Sequence, residues 1–174
     1  MDKYFIKLFQ KIIKHSMYFL YNWLNIKDFE YRKLTEGEIQ IAKKVFHDLI
    51  NYDEVKVFNV PYVPWQPIDV FIAPNGNLFI NKENFCEDYS KCSLVLQGLF
   101  IHELTHILQY QQFQNVILKG MLLQSAYFLS LKKYNPYKYE FVQGKSFSDY
   151  NIEQQAEIAR DIFLKKIPNI IIHA

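Results

Sequence analysis

The sequence predicts an α+β fold that is mainly helical, with a small antiparallel sheet and a histidine-bearing helix at a cleft. Several long stretches place apolar residues at helical spacing, whereas between residues 55 and 81 shorter apolar runs alternate with turn residues. The chain has 174 residues, of which 50% are hydrophobic and 17% aromatic. This is enough for one domain with a sizeable core, and it argues against disorder.

The N-terminal segment Met1–Ile26 is predicted to be a basic amphipathic helix, and we divide the chain into this helix, residues 1–32, and a main domain, residues 33–174. Lysines interrupt its apolar run and no small-residue cleavage site follows, so it resembles neither a secretory signal nor a membrane span. We expect a cytoplasmic location in the producing cell. The helix docks either on its own domain, which we favour, or on a membrane surface or partner protein.

The formal net charge of +2 is too small to indicate a nucleic-acid partner. No basic run interleaved with aromatic residues occurs in the body of the chain, and such runs are typical of nucleic-acid-binding surfaces. We therefore expect no nucleic acid to bind.

The first helix of the main domain is marked by a capping box, Thr35-x-x-Glu38, and is expected to reach about Ile50. Its expected buried residues are Ile39, Ala42, Val45, Phe46 and Leu49.

A β region is expected next, with strands at Val55–Phe58, Val70–Ala73 and Leu78–Asn81. The Asn-Gly pair at 75–76 predicts that the last two strands form an antiparallel hairpin. Between the first strand and this hairpin, VPYVPWQP contains three prolines and must be a loop. Its Tyr62 and Trp65 either border a substrate cleft or cover an edge of the core.

The most specific pattern, His102-Glu103-x-x-His106, lies within Leu99–Tyr110. Imidazoles four residues apart lie on one helix face, where both can reach one Zn²⁺ at about 2.0–2.1 Å. Glu103 then remains available as a general base. The alternative is an amphipathic helix with two solvated histidines. Chance produces the motif about 0.008 times in a chain with this His and Glu content, which favours the metal site.

A catalytic zinc takes three protein ligands, so a further donor is expected downstream. The extended motif that ends in a third histidine is absent, because Gln109 and Gln112 occupy its Gly and His positions. The acidic candidates after the motif are Glu140, Asp149, Glu153, Glu157 and Asp161.

We predict Glu153 as the third ligand. Asn151 and Gln154 form a capping pair that opens a helix to about Lys166, and Glu153 lies in its first turn. Glu157 and Arg160 share the same face, where Glu157 is placed to hold the distal N–H of a ligating histidine. The alternative is an ordinary solvated acidic face.

The chain resembles the gluzincin class of zinc metallopeptidases, because HELTH is followed downstream by a helix carrying E-x-x-x-[DE]. The resemblance implies that Glu153 is the third ligand and that Glu157 supports a motif histidine. More narrowly, two segments, LFIHELTHILQYQ and FSDYNIEQQAEIARD, resemble zincin-like domains associated with Rhs and Vgr proteins of type VI secretion. The 46 residues between His106 and Glu153 exceed the interval of thermolysin-like enzymes. Residues 33–174 are thus expected to form a zincin-like metallopeptidase domain.

The expected function is zinc-dependent hydrolysis of a peptide bond in protein or in peptidoglycan peptide. Glu103 accepts the proton of the attacking water. Tyr150 is the expected oxyanion donor because it is nearest in sequence to the ligand helix, with Tyr137, Tyr139 and Arg160 as the other candidates. The strand Leu78–Asn81 is expected to pair with an extended substrate.

The secretion resemblance implies an antibacterial toxin exported by a route that needs no signal peptide. The alternative function is a noncatalytic adaptor domain that keeps zinc for stability and docks through residues 1–26. An intact Glu103 argues against this alternative, because a structural zinc site does not need a base.

Overall fold

Residues 30–172 are described by the computed structural model, and the helix expected over Met1–Ile26 lies outside them. This part contains four α-helices and a three-stranded sheet, which confirms the α+β class. The strands are β1 (Tyr31–Lys33), β2 (Lys56–Phe58) and β3 (Leu78–Phe79). The helices are α1 (Glu36–Phe46), α2 (Leu94–Gln111), α3 (Val116–Leu129) and α4 (Ile152–Phe163). Among these residues no helix combines the length and apolarity needed to cross a membrane.

The sheet has the order β1-β2-β3 and is mixed, so the expected purely antiparallel sheet is wrong. Strands β1 and β2 are antiparallel, whereas β2 and β3 are parallel, with Val57 opposite Leu78. The long connection between β2 and β3 brings the chain back to the end of the sheet at which β2 begins. Strand β3 therefore runs in the same direction as β2, and the two strands pair in parallel. Tyr31 and Arg32, assigned above to the N-terminal segment, belong to β1.

The hairpin expected over Val70–Asn81 is present as one antiparallel bridge. Ile72 and Phe79 exchange both backbone hydrogen bonds, at 3.2 and 2.9 Å. Gly76 has φ +82° in the turn, a value that favours glycine. Because β3 is flanked by β2 and by Ile72, it does not offer the free edge expected of Leu78–Asn81. The segment 69–74 forms this flank instead and lines the cleft.

Helix α1 begins at the predicted capping box. The Thr35 hydroxyl accepts from the Glu38 N–H at 3.1 Å, and the Glu38 carboxylate accepts from the Thr35 N–H at 2.9 Å. The helix ends at Phe46, earlier than expected, because His47 leaves the helical region with φ 49°. Leu49 therefore lies beyond the helix and is exposed rather than buried.

The core is built around α2, which packs most extensively against α4. Phe100, Ile101 and Leu104 of α2 are fully buried. Ala156 and Ala159 of α4 are fully buried as well, and their small side chains let the two helices approach closely. This packing brings the first turn of α4 to the histidine-bearing face of α2.

Candidate metal centre

His102 and His106 lie one turn apart on α2, and both are buried, at 7% and 6% exposure. Their ring centroids are 5.2 Å apart. The Ser93 side chain accepts from the Leu96 N–H and caps the start of this helix. The alternative of two solvated histidines on an amphipathic helix does not hold, because α2 is buried on this face as well as on its apolar face.

Glu153 lies opposite the two histidines, in the first turn of α4. The Asn151 side chain accepts from the backbone N–H groups of Glu153 and Gln154, both at 2.9 Å, so the predicted cap is present. Glu153 Oε2 is 3.6 Å from His102 Nε2 and 3.4 Å from His106 Nε2.

These three side chains fit a divalent metal ion. One donor atom from each lies within 4.8 Å of the others. Ligands bound to tetrahedral zinc at about 2.0–2.1 Å are separated from one another by about 3.3 Å. The two imidazole-to-carboxylate distances are close to this separation, and two imidazoles with one carboxylate are a donor set that zinc prefers.

Glu157 and Arg160 lie behind His102. Glu157 Oε1 approaches His102 Nδ1 at 3.0 Å, and Arg160 Nη1 lies 3.4 Å from Glu157 Oε2. A Cβ at Gly98 would lie 3.3 to 3.7 Å from the Arg160 side chain, so glycine leaves room for Arg160 against α2. The carboxylate of Glu157 therefore orients His102 with Nε2 toward Glu153.

Gln109 performs the corresponding role for His106, a role that was not predicted from the sequence. Gln109 Oε1 lies 2.9 Å from His106 Nδ1. Its amide nitrogen donates to the Ile152 carbonyl at 3.0 Å and to Gln155 Oε1 at 2.9 Å, which fixes the orientation of the amide. Position i+3 from His106, on the same face of the helix, is the sequence signal that identifies it.

The site attracts positive charge. Burial alone would lower the pKa of His102, but the nearby carboxylates of Glu153 and Glu157 raise this pKa to about 10. Burial would raise the pKa of Glu153, but the two nearby histidines lower it to about 2. The carboxylates that stabilise a proton on the imidazoles also attract a metal cation. A metal ion would therefore compete with protons for the imidazole nitrogens.

Glu103 lies beside the donor group at 7% exposure. Burial raises the pKa of its carboxyl, and the two histidines oppose the rise. The backbone N–H of Ala73, in segment 69–74, opposes the rise as well. A carboxylate at the wall of a cleft, beside the three donor side chains, is placed to act as a general base.

A cleft of about 730 Å³ opens onto these side chains. Its walls are the loop and bridge residues between Tyr62 and Pro74, the first turns of α3, and Tyr137. Tyr62 and Trp65 both line it. Tyr62 also packs against the buried Phe58, Val60 and Phe79, so this residue covers an edge of the core as well.

Tyr150 is not brought to the donor group. Its hydroxyl donates to the Glu140 carbonyl at 3.1 Å and accepts from the Val142 N–H at 3.3 Å, and its side chain is buried in the core. Tyr137 lines the cleft instead, with its ring 6.3 Å from the His102 ring. Burial and the nearby Glu153 raise the pKa of Tyr137 to about 12. Tyr139, another candidate, donates to Asp161 at 2.6 Å.

Comparison with known proteins identifies relatives of the chain, although no family model matches it. Over 136 residues it is 47% identical to VgrG2b, a type VI secretion system spike protein of Pseudomonas aeruginosa, in a match that covers 78% of this chain and 13% of that protein. The solved effector domain of P. aeruginosa VgrG2b has a TM-score of 0.70 at 47% identity, covering 76% of this chain and 73% of the other. The chain therefore belongs to the family of the VgrG2b effector domain.

Proposed function

We propose that the chain is a zinc-dependent peptide-bond hydrolase of the gluzincin type. The observation that carries this proposal is the placement of Glu103, a buried carboxylate with a raised pKa, at the cleft beside the donor atoms of His102, His106 and Glu153. A zinc site that serves stability alone does not need such a base, so the arrangement favours hydrolysis over the noncatalytic adaptor.

His102, His106 and Glu153 would hold Zn²⁺, which when bound supplies a Lewis acid for water and for the substrate carbonyl. Glu103 accepts the proton of the attacking water and returns it to the leaving amine. Glu157 and Gln109 each face the Nδ1 of one histidine and thereby direct its Nε2 toward Glu153. Tyr137 replaces Tyr150 as the proposed donor to the developing oxyanion, because Tyr137 lines the cleft whereas the Tyr150 hydroxyl bonds to backbone atoms.

We further propose that the chain acts as a type VI secretion effector, delivered with a VgrG spike as its partner and by a route independent of a signal peptide. The relative at 47% identity is a spike protein of this system, and the related solved structure is the effector domain of that protein. Delivery of a peptide hydrolase into a rival cell gives such a domain an antibacterial role.

The decisive variant is Glu103→Gln, which removes the base and leaves the three donor side chains in place. We expect unchanged zinc content and a loss of peptide cleavage to background. Glu83→Gln makes the same chemical change at an exposed position and should retain full activity. Cleavage by Glu103→Gln at the rate of the unmodified protein would refute the mechanism.

A further inference from the structure

We infer that the cleft selects extended protein segments with bulky apolar side chains and rejects the stem peptides of peptidoglycan. The inference rests on the hydrolase function proposed above and identifies the substrate class of the same site. Three features carry it: large apolar side chains left exposed on the cleft walls, a rigid loop that presents one of them, and the sign of the charge inside the cleft.

The apolar side chains lie on both sides of the cleft. Trp65, on the proline-rich loop, is 80% exposed, and Met121, on α3, is 64% exposed. Both line the cleft that contains the donor group. Val70 also lines it and is 38% exposed. Exposed apolar groups gathered in one concave surface indicate a ligand that covers them, and indole and thioether side chains bind other apolar groups well.

The loop that carries Trp65 is held by hydrogen bonds on both sides of this residue. The buried Gln66 side chain accepts from the Tyr62 N–H at 2.7 Å and donates to the Val70 carbonyl at 2.7 Å. The Asn81 side chain donates to the Pro67 carbonyl at 2.9 Å. Because these bonds fix the backbone, Trp65 is exposed by a preorganised loop, and binding to it costs little ordering entropy.

The charged side chains that line the cleft, apart from the two histidines, are carboxylates. They are Asp69, Glu103, Glu153 and Glu157, and within residues 30–172 no lysine or arginine joins them on the lining. Four carboxylates still outnumber the two positive charges of a divalent ion and the one of Arg160, which lies 3.4 Å from Glu157 behind the cleft, so the cleft repels anionic ligands.

The two substrate classes differ in the properties that this cleft distinguishes. Stem peptides of peptidoglycan carry several free carboxylates and small methyl side chains, so they would meet repulsion and would leave Trp65 and Met121 uncovered. An extended protein segment with aromatic or aliphatic side chains and no acidic residues covers both walls without a charge penalty.

A binding experiment tests this inference separately from catalysis. The inactive Glu103→Gln chain, loaded with zinc, is titrated against a decapeptide rich in Phe and Leu that carries an uncharged fluorophore, and binding is followed by fluorescence anisotropy. Adding Trp65→Ala or Met121→Ala to this background should weaken binding about tenfold each. Leu129→Ala is the control. Leu129 lies on α3, as Met121 does, and is 85% exposed but does not line the cleft, so this variant should leave the Kd unchanged.

Cleavage is then compared on the active protein with the apolar decapeptide, the same peptide carrying two Glu substitutions, and purified muropeptides. We expect the apolar peptide to be cleaved with a kcat/KM at least tenfold above that of the others. Binding by the Trp65→Ala and Met121→Ala variants as tight as that of the Glu103→Gln background, or preferential cleavage of muropeptides, would overturn the inference while leaving the hydrolase proposal intact. Cleavage of none of these substrates, with apolar binding retained, would count against the hydrolase proposal itself.

Discussion

Replacing Gln109 with leucine should weaken zinc binding at the proposed site and destabilise the fold. Leucine has nearly the size of glutamine but makes none of its three hydrogen bonds, to His106 Nδ1 at 2.9 Å, the Ile152 carbonyl at 3.0 Å and Gln155 Oε1 at 2.9 Å. Gln109 is 1% exposed, so water cannot replace the lost partners. A buried polar group left without a partner costs about 1–3 kcal/mol. We therefore expect a loss of about 3 kcal/mol in the free energy of unfolding.

The effect on the metal is expected to be a 10- to 100-fold loss of zinc affinity, about the range for removing a group that orients a ligating histidine. The assay is competition for zinc with a chelator of known affinity, alongside urea unfolding of the metal-free protein. Gln112→Leu is the matched control, because Gln112 follows the same helix and is exposed. It should change the unfolding free energy by less than about 0.5 kcal/mol.

Gln109→Glu separates the two effects. A carboxylate keeps an acceptor for the His106 N–H but cannot donate to the Ile152 carbonyl or to Gln155. Zinc affinity should therefore fall less than in Gln109→Leu, while stability is still lost. Zinc affinity of Gln109→Leu within twofold of the unmodified protein would refute the role assigned to Gln109.

Two further predictions concern Tyr137, which lines the cleft, and the contact between His102 and Glu153. Tyr137→Phe should lower kcat about 100-fold or more, because its hydroxyl is the proposed donor to the oxyanion. Tyr150→Phe loses hydrogen bonds only to backbone atoms of residues 140 and 142, so it should leave kcat within a fewfold. Equal kcat for the two variants would contradict the role proposed for Tyr137. In the metal-free protein the raised pKa of His102 contributes stability that is complete below its unfolded value of 6.5 and is lost as pH rises toward about 10. The lowered pKa of Glu153 contributes stability that is complete above 4.5 and is lost as pH falls toward about 2. Urea unfolding should therefore show this contribution at its largest between about pH 4.5 and 6.5, and Glu153→Gln should flatten both limbs; an unchanged pH profile in that variant would contradict the pairing.

The features that could be predicted from the sequence are those set by local spacing. The caps at Thr35 and Asn151 depend on residues within one turn, and both are present. The i, i+4 spacing of His102 and His106 places them on one face of any helix. The cap at Asn151 fixes where α4 begins, and this fixes the face of the helix on which Glu153 lies. This is why Glu153 could be chosen among five downstream acids.

The features that could not be predicted depend on distant contacts. Strand β1 pairs with residues about 25 positions away, and the parallel pairing of β3 depends on how a long loop returns to the sheet. Sequence distance favoured Tyr150 over Tyr137, but the direction of a side chain in an irregular segment is set by its surroundings. The hydroxyl of Tyr150 bonds to the backbone, whereas Tyr137 faces the cleft.

The convergence of Glu153 on the two histidines is tested most directly by zinc stoichiometry. The unmodified chain, Glu153→Ala and Glu140→Ala, which alters an exposed acid outside the cleft lining, are dialysed side by side against trace zinc and analysed by elemental mass spectrometry. We predict one zinc per chain in the first and third proteins and little in Glu153→Ala. A full complement of tightly held zinc in Glu153→Ala would contradict the proposed metal centre.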